Sequence, residues 1–139
     1  MRDASAAFIA TQHFIVGRIG RDCLSEIGRT ESPLEYEQKW EKENAKYFDA
    51  ATKYIAARLH EIEDSTEREK VDASYYKSVQ NTGAAAAERL LSKGPKNDAC
   101  KFALTIVDTG SMGIEEYAQA GKLPIMEHLA ELVEWAKAN

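Results

Sequence analysis

The sequence predicts an all-α fold: an up-down-up-down four-helix-bundle-like domain with a broken fourth helix, five helices in all. Three observations predict it. Apolar residues recur at helical spacing along most of the chain. Only three prolines and eight glycines interrupt 139 residues. No β-like alternation competes with the helical pattern, and no repeat period is visible. The length suits a single helical domain, residues 1–139, large enough to bury a core without staples.

The first helix is expected from about Ala4 to Ile27, with Phe8, Ile15, Ile19, Cys23 and Ile27 on one face. Gly28 then supplies a left-handed stop. Gly17 and Gly20 inside it each cost about 1 kcal/mol relative to Ala in an exposed helix, which points to close approach by a neighbouring helix. Ser32-Pro33-Leu34-Glu35 opens the second helix as a capping box, with proline where its missing N–H is harmless. Tyr36, Trp40, Tyr47, Ala51, Ile55, Leu59 and Ile62 then trace one stripe over about thirty residues, opposite a charged, solvated face.

Thr66 with Glu69 offers the next capping box, and the third helix runs from about Glu67 to Ser92 along Val71, Tyr75, Val79, Ala86 and Leu90. Asn81-Thr82-Gly83 is a candidate kink, and Lys93-Gly94-Pro95 a stop. Asn97 or Asp98 caps a shorter helix carrying Cys100, Ala103, Leu104 and Val107. The pattern fails around Asp108–Gly113, residues 114–120 add a short turn, and a last helix buries Ile125, Met126, Leu129, Leu132, Val133 and Ala136. Joined end to end, the two short helices come to about 40 Å, matching the roughly 35–45 Å of the long ones. They serve as one broken fourth helix.

In that topology the first helix ends at the pole where the fourth begins. Cys23 and Cys100 both lie near that pole, on apolar faces, so a Cys23–Cys100 disulfide is expected, with two buried free thiols as the alternative. Closing the loop would stabilise the fold by roughly 4 kcal/mol. The bond would place the protein in the periplasm or outside the cell, and free thiols in the cytoplasm.

Composition excludes some function classes. Hydrophobic residues make up 44% and charged residues 29%, ordinary for a globular chain. The net charge of −5, with basic residues interleaved among acids, argues against nucleic acid and anionic membrane surfaces. No apolar run approaches the roughly 20 residues of a membrane span. The apolar N-terminal segment is interrupted by Gln12 and His13 and carries Asp3 where a positive region belongs, so it does not read as a signal peptide. A secreted protein lacking its leader would look the same.

Familiar chemistry is also missing. His13, His60 and His128 have no Glu three residues before them, as a di-iron bundle needs, and there is no Cys-x-x-Cys. No metal, cofactor or catalytic residue is therefore assigned. Gly110-Ser111-Met112-Gly113 lacks the spacing and lysine of a phosphate loop and reads as a hinge. Paired acids such as Glu61 with Glu63, or Glu115 with Glu116, carry little information in an acidic helical chain.

Binding is what remains. Met112, Ile114, Glu115, Glu116 and Tyr117 mix apolar and acidic side chains in the longest irregular stretch, and form the candidate partner-binding loop. The alternative is that Ile114 and Tyr117 turn inward and cap the bundle end. Tyr47, Tyr54, Tyr75 and Tyr76 either belong to the core or line a groove. The layout of a small acidic helical domain with a disulfide is similar to that of secreted bacterial inhibitor or immunity proteins, which occlude a partner enzyme. The expectation is a non-enzymatic helical protein acting on a protein partner. The alternatives are a bundle holding a small apolar ligand, or a haem bound through Met112 or Met126 with a histidine, and an enzyme using scattered carboxylates.

Overall fold

The computed structural model describes residues 2–116 and 126–139. Among them are six α-helices: α1 (Arg2–Cys23), α2 (Pro33–Glu43), α3 (Ala45–His60), α4 (Ser65–Leu91), α5 (Lys96–Asp108) and α6 (Met126–Ala138). Residues 114–116 are helical as well, and no strand occurs among the described residues. The fold is the expected all-α bundle, with α5 and α6 separated at the predicted break.

The helix count differs because the second predicted helix is itself broken, into α2 and α3, at Asn44. Asn44 is buried, and its backbone leaves helical geometry at φ −115° and ψ 22°. Its side-chain amide donates to the Trp40 carbonyl at 2.9 Å, while its Oδ1 accepts the Ile114 N–H at 2.8 Å. Beside it, Trp40 Nε1 donates to the Met112 carbonyl at 3.2 Å. The two breaks therefore face one another, and each supplies hydrogen-bond partners that the other lacks.

Helix α1 packs against all five other helices. Ala6, Ile9, Val16, Ile19 and Cys23 are fully buried along it, which makes it the axis of the bundle. Helix α3 also packs on α6, where the Tyr54 and Trp135 rings meet edge to face at 5.0 Å.

Ser32 caps α2 as expected, accepting the Glu35 N–H at 3.1 Å. Two other caps differ. Helix α4 is capped by Asp64, which accepts the Glu67 N–H at 2.9 Å, so the helix starts ahead of Thr66. A carboxylate caps at least as well as a threonine hydroxyl and also favours the positive end of the helix dipole. Helix α5 starts directly after Pro95, which places Asn97 and Asp98 inside its first turn.

The glycines of α1 do admit a neighbour. A Cβ on Gly20 would lie 3.2 Å from the Tyr36 ring, and one on Gly17 would lie 3.3 Å from the Glu37 carboxylate. Gly83 leaves α4 uninterrupted and serves instead as a contact: a Cβ there would overlap Phe14 Cδ1 at 2.4 Å. Gly83→Ala should therefore lower stability by about 1–2 kcal/mol, although Ala is the better helix former. Urea unfolding checks it, and an unchanged or raised midpoint would show that Phe14 moves aside freely.

Cys23 and Cys100 meet as a disulfide pair, their Cα atoms 5.0 Å apart across 77 residues of sequence. At the same pole Arg29 binds Glu31 and Asp108, and the Tyr36 hydroxyl donates to Asp108 at 2.8 Å. Burial and that hydrogen bond hold the Tyr36 phenol well above its ordinary range.

Candidate functional site

The expected partner loop is largely built into the core. Met112 and Ile114 are buried, at 5% and 0% exposure, through the Trp40 and Asn44 bonds described above. Glu115 accepts from the Tyr47 hydroxyl and pairs with Lys46. Glu116 is exposed, and Tyr117 lies outside the described residues. Of the described loop residues, only the two acids face solvent. Glu61 and Glu63 are likewise exposed on the surface. Met112 packs in the core cluster, and the side chain of Met126 lies outside the described residues.

The structure opens a groove elsewhere. The first half of α4, residues 65–78, has no buried residue, although Val71 and Tyr75 stand on its predicted core stripe. The opposing face of α1 carries Ala4, Ala7 and Ala10. These short side chains leave space that α4 does not fill. The result is a cavity of about 610 Å³ walled by α1, by Ile55 and Leu59 of α3, and by Val71 and Tyr75 of α4. A second lobe of about 400 Å³ continues past Ala10 and Phe48 and shares Ile55, Leu59 and Tyr75 with the first. A third, about 340 Å³, ends among Phe14, His13 and Glu37. The lobes follow α1 from Asp3 to Phe14, about 16 Å at the helical rise.

Asp3, Arg58 and Glu61 stand at the rim of the first lobe, and Tyr75 brings a hydroxyl into its wall. The Tyr75 hydroxyl oxygen is shielded from solvent, with no hydrogen-bond partner among the described residues. Burial pushes its phenol up to about 12, and the Asp3 carboxylate adds to the shift. Tyr47 is also raised to about 12, by burial and then by its bond to Glu115. Both phenols are held neutral by the fold, so their contribution is fully present below the unfolded value near 10 and is lost as pH rises towards 12. Stability should fall across that interval, and Tyr47→Phe with Tyr75→Phe should flatten the fall. Denaturant titrations from pH 9.5 to 11.5 measure it (roughly bracketing the unfolded tyrosine value), and equal slopes would refute it.

At the far end of the groove three potential ligands converge. His13 Nε2 lies 3.0 Å from Glu37 Oε1 and 2.8 Å from Glu41 Oε1. The imidazole is packed against the Phe48 ring at 4.8 Å and the Trp40 ring at 5.9 Å. Glu37 and Glu41 share one face of α2, and Glu37 reaches α1 because position 17 is glycine. The Glu-x-x-His pattern of di-iron bundles lies within one helix, whereas His13 on α1 meets glutamates of α2. The one usable signal was the i,i+4 spacing of Glu37 and Glu41, which is common on any charged helix face.

Of the four tyrosines, Tyr47 and Tyr54 are core residues, while Tyr75 and Tyr76 line the groove. Comparison of the chain with protein-family models, with characterised proteins and with solved structures finds no match in any of the three.

Proposed function

We propose that the protein is a non-enzymatic binding protein for an elongated, neutral hydrocarbon molecule, seated in the groove between α1, α3 and α4. The observation that supports it most directly is the groove itself, with Tyr75 in its wall, whose hydroxyl has no partner among the described residues. The first lobe falls within the roughly 300–1,000 Å³ of small-molecule sites, which are mostly apolar with a few polar groups for orientation. A buried hydroxyl without a partner costs about 1–3 kcal/mol, and a ligand hydroxyl or carbonyl that met it after a small turn of the Tyr75 side chain would remove that cost. The first lobe is lined by two acids, Asp3 and Glu61, against one base, Arg58, which already pairs with Asp3 at 3.5 Å, so a neutral alcohol or ester fits better than a fatty acid.

The disulfide pair favours an oxidising compartment, the periplasm or the exterior. No helix among the described residues is long and apolar enough to cross a membrane. A carrier or scavenger of a poorly soluble molecule suits both observations. We prefer this reading to a protein partner at residues 112–117, because Met112 and Ile114, two of the apolar side chains offered there, are buried.

Calorimetric titration of the oxidised protein with a medium-chain primary alcohol tests the proposal. One saturable site is expected. Tyr75→Phe should weaken it about fivefold, the value of one hydrogen bond. Ala7→Phe with Ala10→Phe, which fills the groove, should abolish it while circular dichroism stays helical. Absence of saturable uptake, or equal uptake by the filled variant, would sink the idea.

A further inference from the structure

We propose that His13, Glu37 and Glu41 bind a first-row divalent cation of the zinc type between α1 and α2, at the groove's third lobe, whether or not the first lobe holds a ligand. The three donor atoms lie within 4.8 Å of one another, His13 coming from α1 and the two glutamates from successive turns of α2.

Hydrogen bonding alone accounts poorly for the arrangement. Both carboxylates approach the same nitrogen, Nε2, and an imidazole in either protonation state offers at most one N–H there. Two neighbouring carboxylates are thus held together with one proton between them. A divalent cation at that point satisfies all three groups. With metal–ligand bonds of about 2.0–2.2 Å, tetrahedral donors stand roughly 3.3 Å apart. The His13–carboxylate contacts of 2.8 and 3.0 Å need to open by only a few tenths of an ångström, with the two carboxylate oxygens, within 4.8 Å of one another, settling at the same spacing.

The ligands are also held in place beforehand. Phe48 and Trp40 fix the imidazole plane, and the Glu37 carboxylate rests on the bare backbone at Gly17, where a methyl group would press against it. Oriented ligands lose little freedom on binding, the usual requirement of a designed or natural metal site. One imidazole and two carboxylates suit zinc and its first-row neighbours better than calcium or magnesium, which take oxygen ligands. His13 and Glu37 line the third lobe of the groove, so the fourth coordination position opens to water. Arg21 lines the same lobe but stacks over the Phe14 ring, 5.8 Å from its centre.

Zinc titration of the oxidised full-length chain, by calorimetry and equilibrium dialysis without reductant, tests the site. One equivalent of Zn²⁺ is expected. Even outer-shell substitutions weaken metal sites by about 10–100-fold, so Glu37→Gln, Glu41→Gln and His13→Gln should each weaken binding at least tenfold. Metal-free circular dichroism checks that each variant folds. His128→Ala, which removes a histidine paired with Glu131 on α6, should leave binding unchanged. X-ray absorption of the zinc-loaded protein should show one imidazole among oxygen ligands. Binding that survives in the Glu37 and Glu41 variants, or no saturable binding at all, would overturn the assignment.

Discussion

Replacing Cys23 and Cys100 together by serine should lower stability by about 4 kcal/mol, the effect of releasing a closed loop of 77 residues into the unfolded ensemble. Domains of this size unfold with about 2.1 cal/mol/K per residue, so the melting temperature should fall by roughly 10–15 °C. Net stabilities are only about 5–15 kcal/mol, which makes this a large fraction of the total. The core does not depend on the bond alone: Ile19, Leu24 and Leu104 are nearly fully buried, and Arg29 and Tyr36 join the same pole to Asp108. The double variant should therefore fold and melt cooperatively, at lower temperature. Differential scanning calorimetry of the oxidised protein, the reduced protein and the double variant provides the comparison. A shift below 3 °C, under about 1 kcal/mol for a chain of this length, would show that the crosslink constrains little.

The sequence made the pole where the cysteines meet legible because helix lengths and short connections leave few ways to stack the chain. Gly28 and Gly110 marked two helix ends, and both adopt positive φ, 78° and 81°. What was not legible shares one physical cause. The break at Asn44, the His13–Glu37–Glu41 cluster and the empty face above Ala4, Ala7 and Ala10 all depend on which side chain faces which across helices. Periodicity reports that a face is apolar, but not how fully its partner fills it. Tyr75 shows the difference: it stands on the same stripe as Val79, yet Val79 is buried and Tyr75 lines a groove. The Met112 and Ile114 positions illustrate the converse. They looked available because the local pattern fails there, and they are buried because Asn44 and Trp40 capture their backbone.

Asn44→Ala should cost about 2–3 kcal/mol, the second large effect, and its origin lies in two broken helices at once. The Ile114 N–H would lose the Oδ1 that accepts it at 2.8 Å, beside a side chain with 0% exposure. Leaving a buried donor unpaired costs about 1–3 kcal/mol, more than the bond itself contributes. The Trp40 carbonyl is less affected, because the backbone N–H at position 44 still donates to it at 3.0 Å. Alanine has the better helix propensity, which favours joining α2 to α3 and works against the local geometry at φ −115°. The damage should therefore concentrate where the loop meets the break. Hydrogen exchange separates this from general weakening: protection of the Ile114 amide should fall further than that of core amides such as Val16 and Leu104. A variant with unchanged melting and an Ile114 amide still protected would mean that water replaces Oδ1, and that the facing breaks are held by Trp40 and packing alone.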